Sequence, residues 1–430
     1  MGALIGAGLG LFALFGGALF VLLGGLAILG YAASGDPISS IIIDLNRLAR
    51  NPTIMTIPLF TFAGYVMAES NAPKRLIALA QTSVGWLPGG VAMVVLVTCA
   101  FFTTFTGASG VTIVALGGLL YPILRQHYTE RFSLGIITTS GSLGLLFPPS
   151  IPLILYAIIA QVPIDLMFCA GIIPGFLLIL ILGGYCSGWS IFKRVEHTPF
   201  DLRAFGRALR NALGEVLLPF IVLGCIISGI VTIDEAAALT AIYLLIVEMV
   251  IHRDISVRQL PKIVRESMLL VGAILIILGI ALGLTNYLVT IELPSIALDW
   301  IQGQTQNKIV TLIGLNLFLL AVGCLMDIFS AIVIIVPLLI PIAEGFGIDK
   351  AHLGIIVLTN LEIGYLTPPV GMNLFISSLK FEKSVISLYR SVLLFIGLLL
   401  FALVIVTYVP ELSLWLPRVL GKTSTPLLIE

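Results

Sequence analysis

The sequence predicts an all-α, polytopic membrane protein. It is organised as an inverted structural repeat, with two re-entrant helical hairpins and two helices broken at Pro-Pro. Three observations carry this. Of 430 residues, 59% are hydrophobic and 10% charged, with a mean hydropathy of +1.15; soluble domains average about 45–50% apolar and about 25% charged. The apolar residues lie in runs near the roughly 20 residues that a spanning helix needs, and the length allows roughly a dozen helical segments. Pro-Pro occurs twice, at 148–149 and 368–369, in matched surroundings. Charge this scarce cannot cover a water-soluble particle, which excludes a cytosolic enzyme, a nucleic-acid binder and a disordered scaffold. The lipid bilayer is the first partner implied. Lys+Arg and Asp+Glu balance at 22 each, so net charge points to no other.

The first apolar run, 4–31, is too long for a signal-peptide core and lacks a basic leader, so it reads as a retained helix. Residues 38–50 mix apolar and basic positions at helical spacing and predict a short interfacial helix. Spans follow at 52–68 and 88–106, a Thr/Gly/Ser-rich tip at 106–110, then 111–124. Segment 134–159 is apolar but broken at Pro148-Pro149, and 167–192 spans again. Residues 193–213 carry five basic residues and read as a surface amphipathic helix. After spans at 215–231 and 236–251, a second basic amphipathic stretch is expected at 253–266, then a span at 268–289. Segments 309–326 and 328–343 flank Asp327. Segment 353–378 is broken at Pro368-Pro369, and 386–409 is the last span. The tail 421–430 is polar and is expected to fray.

The five cysteines are dispersed in apolar runs with no CxxC spacing, which argues against a disulfide framework or a cysteine zinc site. The four histidines form no HExxH. No Walker loop or GxSxG is present, so nothing indicates an ATPase or a hydrolase.

The repeat rests on matched elements in one order. LGII stands at 134–137 and again at 353–356. Gly144-Leu145-Leu146-Phe147-Pro148-Pro149 then faces Gly364-Tyr365-Leu366-Thr367-Pro368-Pro369, sharing G-x-L-x-P-P. A candidate hairpin precedes each copy: 88–124 with Ser109 near its tip, and 309–343 with Ser330 near its tip. Topology supports inversion. If each hairpin enters and leaves on one side, each broken run crosses, and the N-terminus is cytoplasmic, 16 of the 22 Lys and Arg fall inside. Outside are Arg47, Arg50, Lys308, Lys350, Arg418 and Lys422. This satisfies the positive-inside rule.

Unpaired backbone is expensive in hydrocarbon, so helix breaks need protein or water around them. Pro148, Pro149, Pro368 and Pro369 remove amide donors and stop a helix in mid-membrane. Carbonyls before a break can ligate a cation, and a half-helix N-terminus after it favours an anion. Paired breaks in inverted halves point to a transporter site at the midplane. The hairpin tip 106–110 adds hydroxyls and permissive glycines, the oxygen-rich surroundings that hard cations prefer. Asp327, in an apolar run, is a candidate sodium ligand and equally a helix N-cap. Glu362 either pairs with a buried donor or couples to an ion. Glu235 reads as an N-terminal helix acid at the interface.

The segments TGASGVTIVALGGLLYP (106–122), GSLGLLFPPSIPLILY (141–156), GIVTIDEAAALTAIY (229–243) and NLEIGYLTPPVGMNLF (360–375) carry a resemblance over nearly the whole chain. They resemble the large, DctM-like membrane subunit of tripartite ATP-independent periplasmic (TRAP) transporters. One departure is Ile233-Asp234, where that family usually has Pro-Thr. The resemblance implies an elevator-type, sodium-coupled importer of small organic anions in the bacterial inner membrane, with no enzymatic activity. It also implies two partners, a small membrane subunit of about four helices and a periplasmic substrate-binding protein. Sodium sites between each tip and the adjacent break carry over to Gly107, Ser109 and Gly144–Pro148 (with Phe147), and to Asp327, Ser330 and Gly364–Pro368 (with Thr367). Ser109, Ser150, Thr367 and Asn373 are the expected substrate contacts. The transport domain would comprise 88–160 and 309–380; residues 1–87, 161–308 and 381–430 would form the scaffold, with the C-terminus periplasmic. The competing reading is a stand-alone sodium/dicarboxylate symporter of the same architecture. An intramembrane enzyme needs a facing catalytic pair, which the scattered histidines do not offer, and a passive channel fits inverted hairpins less well.

Overall fold

The structure, a computed structural model, describes residues 19–35, 37–50, 52–193 and 200–422. The start of the first apolar run, residues 194–199 of the first amphipathic stretch and most of the expected tail lie outside them. The described residues hold helices and no strand. In chain order the helices are α1 (Leu19–Ser34), α2 (Ser39–Ala49), α3 (Thr56–Glu69), α4 (Ala72–Val84), α5 (Gly90–Thr106), α6 (Ser109–His127), α7 (Glu130–Ser140), α8 (Ile151–Ala160), α9 (Ile164–Lys193) and α10 (Leu202–Asn211). Then come α11 (Leu213–Ile227), α12 (Ile233–Leu245), α13 (Leu260–Thr290), α14 (Leu293–Gln304), α15 (Lys308–Leu325), α16 (Ile328–Gly345), α17 (Lys350–Gly364), α18 (Met372–Phe381), α19 (Val385–Tyr408) and α20 (Glu411–Val419). Five of these helices are long and apolar enough to cross a membrane, and two bent pairs raise that to seven. Outward-facing side chains agree: Leu180 is 71% exposed, Phe220 70% and Trp300 68%. Water would not tolerate so many large apolar groups on one surface, and lipid does. The protein is a multi-pass membrane protein.

Local chemistry sets the helix ends. Thr232 and Glu235 form a capping box at α12, with the Glu235 carboxylate accepting from Thr232 N at 2.8 Å, so Glu235 is the N-terminal helix acid expected. Asp349 caps α17 and Ser384 caps α19. The expected separate amphipathic helix at 253–266 is not formed. Residues 254–259 turn, and α13 then runs unbroken for 31 residues. Pro261 supplies its first turn, where a missing amide donor costs nothing, and no breaker follows before Met268. Three short helices, α4, α14 and α20, occupy stretches in which the sequence reading places no span.

The centre of the molecule is the pair of broken helices. In α17 every residue from Ala351 to Gly364 is buried, and in α7 every residue from Phe132 to Ser140. A helix buried on all sides has no polar face to mark it. In each half, the hairpin's first helix lies on the break that follows: α5 on the turn Leu143–Leu146, and α15 on α17. The hairpin's second helix reaches across instead. α6 packs on α18, and α16 on α8, so each half holds the other half's post-break helix. Hydrogen bonds cross with it, from Thr138 Oγ1 to Ser377 Oγ at 2.9 Å. Around this centre, α13 lies against α1, α2, α3 and α16, and α12 against α3. All five cysteines are free, as their spacing indicates.

One polar knot stands outside the centre. Arg75 of α4 pairs with Glu215 of α11 at 2.5 Å, with Glu248 at 2.7 Å and with Asp254 at 2.5 Å. The sequence places Arg75 in a cytoplasmic loop and Glu215 at the start of a span, with no hint that they meet. Burial alone would raise the Asp254 carboxyl, but hydrogen bonds from Asn71 and Arg75 outweigh it and hold the group below its ordinary value.

Candidate ion and substrate site

Each hairpin tip is made by a connection of two residues. Between α5 and α6 stand Gly107, at φ 62, and extended Ala108. The left-handed conformation at Gly107 favours glycine, and a Cβ there would also sit 2.6 Å from Ile151 Cδ1. Between α15 and α16, Met326 and Asp327 are both extended. Asp327 caps α16, accepting from Ser330 N at 3.0 Å and from Ser330 Oγ at 2.7 Å. The capping role read for Asp327 is therefore present, and Ser330 is its partner.

The breaks sit beside these tips. In the first, Ser150 Oγ donates to Leu145 O at 2.5 Å, and the Pro148–Pro149 bond is cis. In the second, the Pro368–Pro369 bond is cis, Thr367 Oγ1 donates to Ile363 O at 2.9 Å, and Asn373 N donates to Tyr365 O at 3.1 Å. Val370 and Gly371 donate to Cys324 O, tying break to hairpin. Tyr365 accepts Ile328 N at 2.6 Å through its hydroxyl, joining the second tip directly to the second break. In the first half, Thr103 Oγ1 donates to Gly141 O at 2.8 Å. Across the halves, Ser109 Oγ donates to Asn373 Oδ1 at 2.7 Å, and the buried Asn373 Nδ2 has no hydrogen-bond partner among the described residues.

Tips and breaks enclose a cavity of about 280 Å³. Its lining includes Gly107 and Ser109 from the first tip, Asp327 from the second, Leu145 and Tyr365 from the two breaks, and Tyr65 and Leu270 from α3 and α13. No Lys, Arg or His lines it. Two helix N-termini, those of α6 and α16, open on it. The sequence-derived set thus divides. Gly107, Ser109 and Asp327 face the cavity, and Asn373 and Ser330 touch residues that do. Gly144 and Gly364 instead serve close packing, Gly144 against Thr103 and Thr104, Gly364 against Gly323. Phe147 and Pro148 line a separate apolar cavity with Phe101, Phe105, Phe176 and Phe220. Ser150, Thr367 and Pro368 lie within the breaks, and the Ser150 and Thr367 hydroxyls donate to break carbonyls. Glu362 is fully buried in α17, and the buried Ser142 hydroxyl of the first break is the donor beside it. Tyr65, Leu270 and the Tyr365 hydroxyl escape a reading by motif. The first two come from remote segments, and the third lies at a position where the copies differ.

A two-half arrangement of hairpin tips against broken helices, enclosing a mostly apolar cavity into which Ser109, Asp327 and Tyr365 bring oxygens inside a membrane protein, fits a transporter permease. The chain belongs to the family described as Tripartite ATP-independent periplasmic transporter, DctM component, whose model matches residues 2–412. It is 35% identical over 392 residues to the C4-dicarboxylate TRAP transporter large permease protein DctM of Pseudomonas aeruginosa, covering 91% of this chain and 92% of that one. It is 37% identical over 366 residues to the isethionate TRAP transporter permease protein DctMQ of Oleidesulfovibrio alaskensis, covering 84% of this chain and 58% of that longer one. The sialic acid TRAP transporter large permease protein SiaM of Vibrio cholerae is 29% identical over 375 residues, covering 86% of this chain and 87% of that one. Among solved structures, the Alcanivorax borkumensis YdaH transporter, titled as having an unusual topology, superposes with a TM-score of 0.60 over 86% of each chain at 12% identity, a likeness of fold alone. The resemblance read from the Pro-Pro motifs and the expectation of a transporter rather than an enzyme both hold.

Proposed function

We propose that this chain is the permease subunit of a sodium-coupled importer of small organic anions, chiefly carboxylates, in the bacterial inner membrane. A periplasmic binding protein delivers the substrate, and a small membrane subunit completes the complex, as the TRAP family implies. The observation that carries the sodium coupling is the cavity's charge. It offers an anion two helix N-termini but no basic side chain, while Asp327 adds a negative charge beside it. An anion bound there needs cations, and hydroxyl, carboxylate and break carbonyl oxygens suit sodium. Sodium is thus a co-substrate, two ions or more, one beside each tip. The named relatives fit: C4-dicarboxylate, isethionate and sialic acid are all small organic anions.

The moving element is the interlocked pair of hairpins and broken helices, residues 88–160 and 309–380. The rest is the frame, with the N-terminus cytoplasmic and the C-terminus periplasmic. The exchange of α6 and α16 between halves supports this partition, because neither half can move without the other.

The test is uptake into proteoliposomes holding the permease together with its small membrane subunit. The binding protein is added outside with the ligand that stabilises it in a thermal-shift screen of dicarboxylates, sulfonates and sialic acid. Uptake is expected with sodium outside and absent when potassium replaces it. Equal uptake in potassium overturns sodium coupling. Full uptake without the binding protein overturns the tripartite reading in favour of a stand-alone symporter.

A further inference from the structure

The knot around Arg75 carries more negative charge than its arginine balances. Glu215 and Glu248 are 0% exposed, Asp254 is 13% exposed, and one guanidinium faces all three. Three carboxylates against one guanidinium call for a further cation or a shared proton in the cluster when His252 is neutral. Buried charge of this kind is costly unless it is paired or holds a metal. Arg75 also does not use every acceptor. Among the described residues, Glu215 Oε2 is buried without a hydrogen-bond donor and His252 Nδ1 is buried without a hydrogen-bond partner. That ring nitrogen stands 3.7 Å from Glu215 Oε1 and 3.9 Å from Glu248 Oε2. One ligand atom from each of Glu215, Glu248 and His252 lies within 4.8 Å of the other two.

From these facts we infer a divalent transition-metal site at Glu215, Glu248 and His252, with zinc as the cation that suits its donors. Ligands about 2.0–2.1 Å from a tetrahedral zinc lie roughly 3.4 Å apart, so the imidazole contacts of 3.7 and 3.9 Å shorten by a few tenths of an ångström and the carboxylates draw in from within 4.8 Å of one another to close the site. One imidazole nitrogen and two carboxylate oxygens are ligand types that zinc takes, leaving a fourth position for water. A cation of charge two binds without displacing Arg75, since Glu215 Oε2 is unused and the Glu248 oxygens that Arg75 meets keep spare lone pairs. His252 is 21% exposed, which gives the ion a path from solvent. The bound ion ties α11 to the turn after α12, beside the start of α4, and so braces the helices around the central pair. None of its residues lines the transport cavity, and it owes nothing to the sodium reading.

The experiment uses the whole permease, purified in detergent with its affinity tag removed, stripped with chelator and titrated with zinc alone. Metal content is read by elemental analysis, affinity by calorimetry and stability by thermal unfolding. Wild type is expected to bind one zinc per chain and to melt at a higher temperature with it. His252→Ala is expected to lose at least about tenfold in affinity, a loss that even an outer-shell change produces, together with the zinc-dependent rise in melting temperature. It removes a ligand without breaking an Arg75 pair, so it should fold; His252→Gln, which keeps a polar side chain, is the second variant. Absence of stoichiometric zinc from wild type overturns the site. So does equal zinc affinity in wild type and either His252 variant, which would move the metal to another residue.

Discussion

Arg75→Ala should destabilise the permease by about 3–5 kcal/mol, the usual result of removing one partner from a buried ion pair. Glu215 and Glu248 are wholly buried, so they cannot turn to water when the guanidinium goes. The loss is compounded because Arg75 bridges elements 140 to 179 residues away in sequence, joining α4 to α11 and to the turn before α13. Thermal unfolding of detergent-purified protein, read by size-exclusion fluorescence, checks this. Arg75→Lys should restore little. An ammonium is a point charge and cannot present the fork that meets Glu215, Glu248 and Asp254 together. The double variant Glu215→Gln/Glu248→Gln should be milder than Arg75→Ala, since amides in place of buried carboxylates remove the stranded charge. If Arg75→Ala melts within a degree of wild type, the knot is not a structural brace.

The second large effect is expected at the close backbone approaches. At Gly364 a Cβ would stand 2.5 Å from Gly323 Cα and 2.8 Å from Gly323 O. At Gly144 it would stand 2.6 Å from both Thr103 Cβ and Thr104 N. Both glycines lie in the broken helices, and both touch the first helix of their own hairpin. These neighbours include backbone, which cannot swing aside as a side chain does. Gly364→Ala and Gly144→Ala therefore push hairpin from break. Overpacking of this kind typically costs about 1–3 kcal/mol. If that cost falls on the sodium- and substrate-bound geometry, affinity drops roughly 5–150-fold. Gly397→Ala, where nothing lies within 4 Å of the added carbon, is the control. Uptake assays at limiting substrate should show both glycine variants reduced by about that factor and the control unchanged; wild-type uptake by Gly364→Ala would detach the second break from the site.

Much of this was legible in the residues. The hairpins 88–124 and 309–343 stand within a few residues of α5–α6 and α15–α16, because long apolar runs broken by a short polar tip leave little alternative. The Pro-Pro breaks stand where the prolines dictate. Asp327 was legible as a cap because Asp before an apolar helical run has a local partner three residues on. Contacts that depend on remote chain were not legible. Glu248 reads as one acid among apolar residues with His252 one turn on, and nothing nearby announces Arg75 or Glu215 as their company. The cavity walls Tyr65 and Leu270 are likewise ordinary members of α3 and α13. The stretch 253–266 was misjudged because basic amphipathic spacing looks the same in a separate surface helix and in the exposed first turns of a long one. The short helices α4 and α14 begin at Pro73 and Pro294, a start signal whose weight depends on the packing that follows.

The claim that the site travels on a moving block is tested most directly by tying that block to the frame. Gly64 of α3 marks how close the two come: a Cβ there would lie 2.7 Å from Thr106 Cα at the first tip. On the other side of the cavity, Leu270 of α13 and Phe329 of α16 line the same space. Cysteines replacing Leu270 and Phe329, in a chain whose five native cysteines are changed to alanine or serine, can be bridged by a short cleavable bis-thiosulfonate reagent. A moving block predicts that bridging abolishes sodium-driven uptake, that reduction restores it, and that each single cysteine treated alike transports normally. Uptake at the uncrosslinked rate with the bridge demonstrably formed would contradict it.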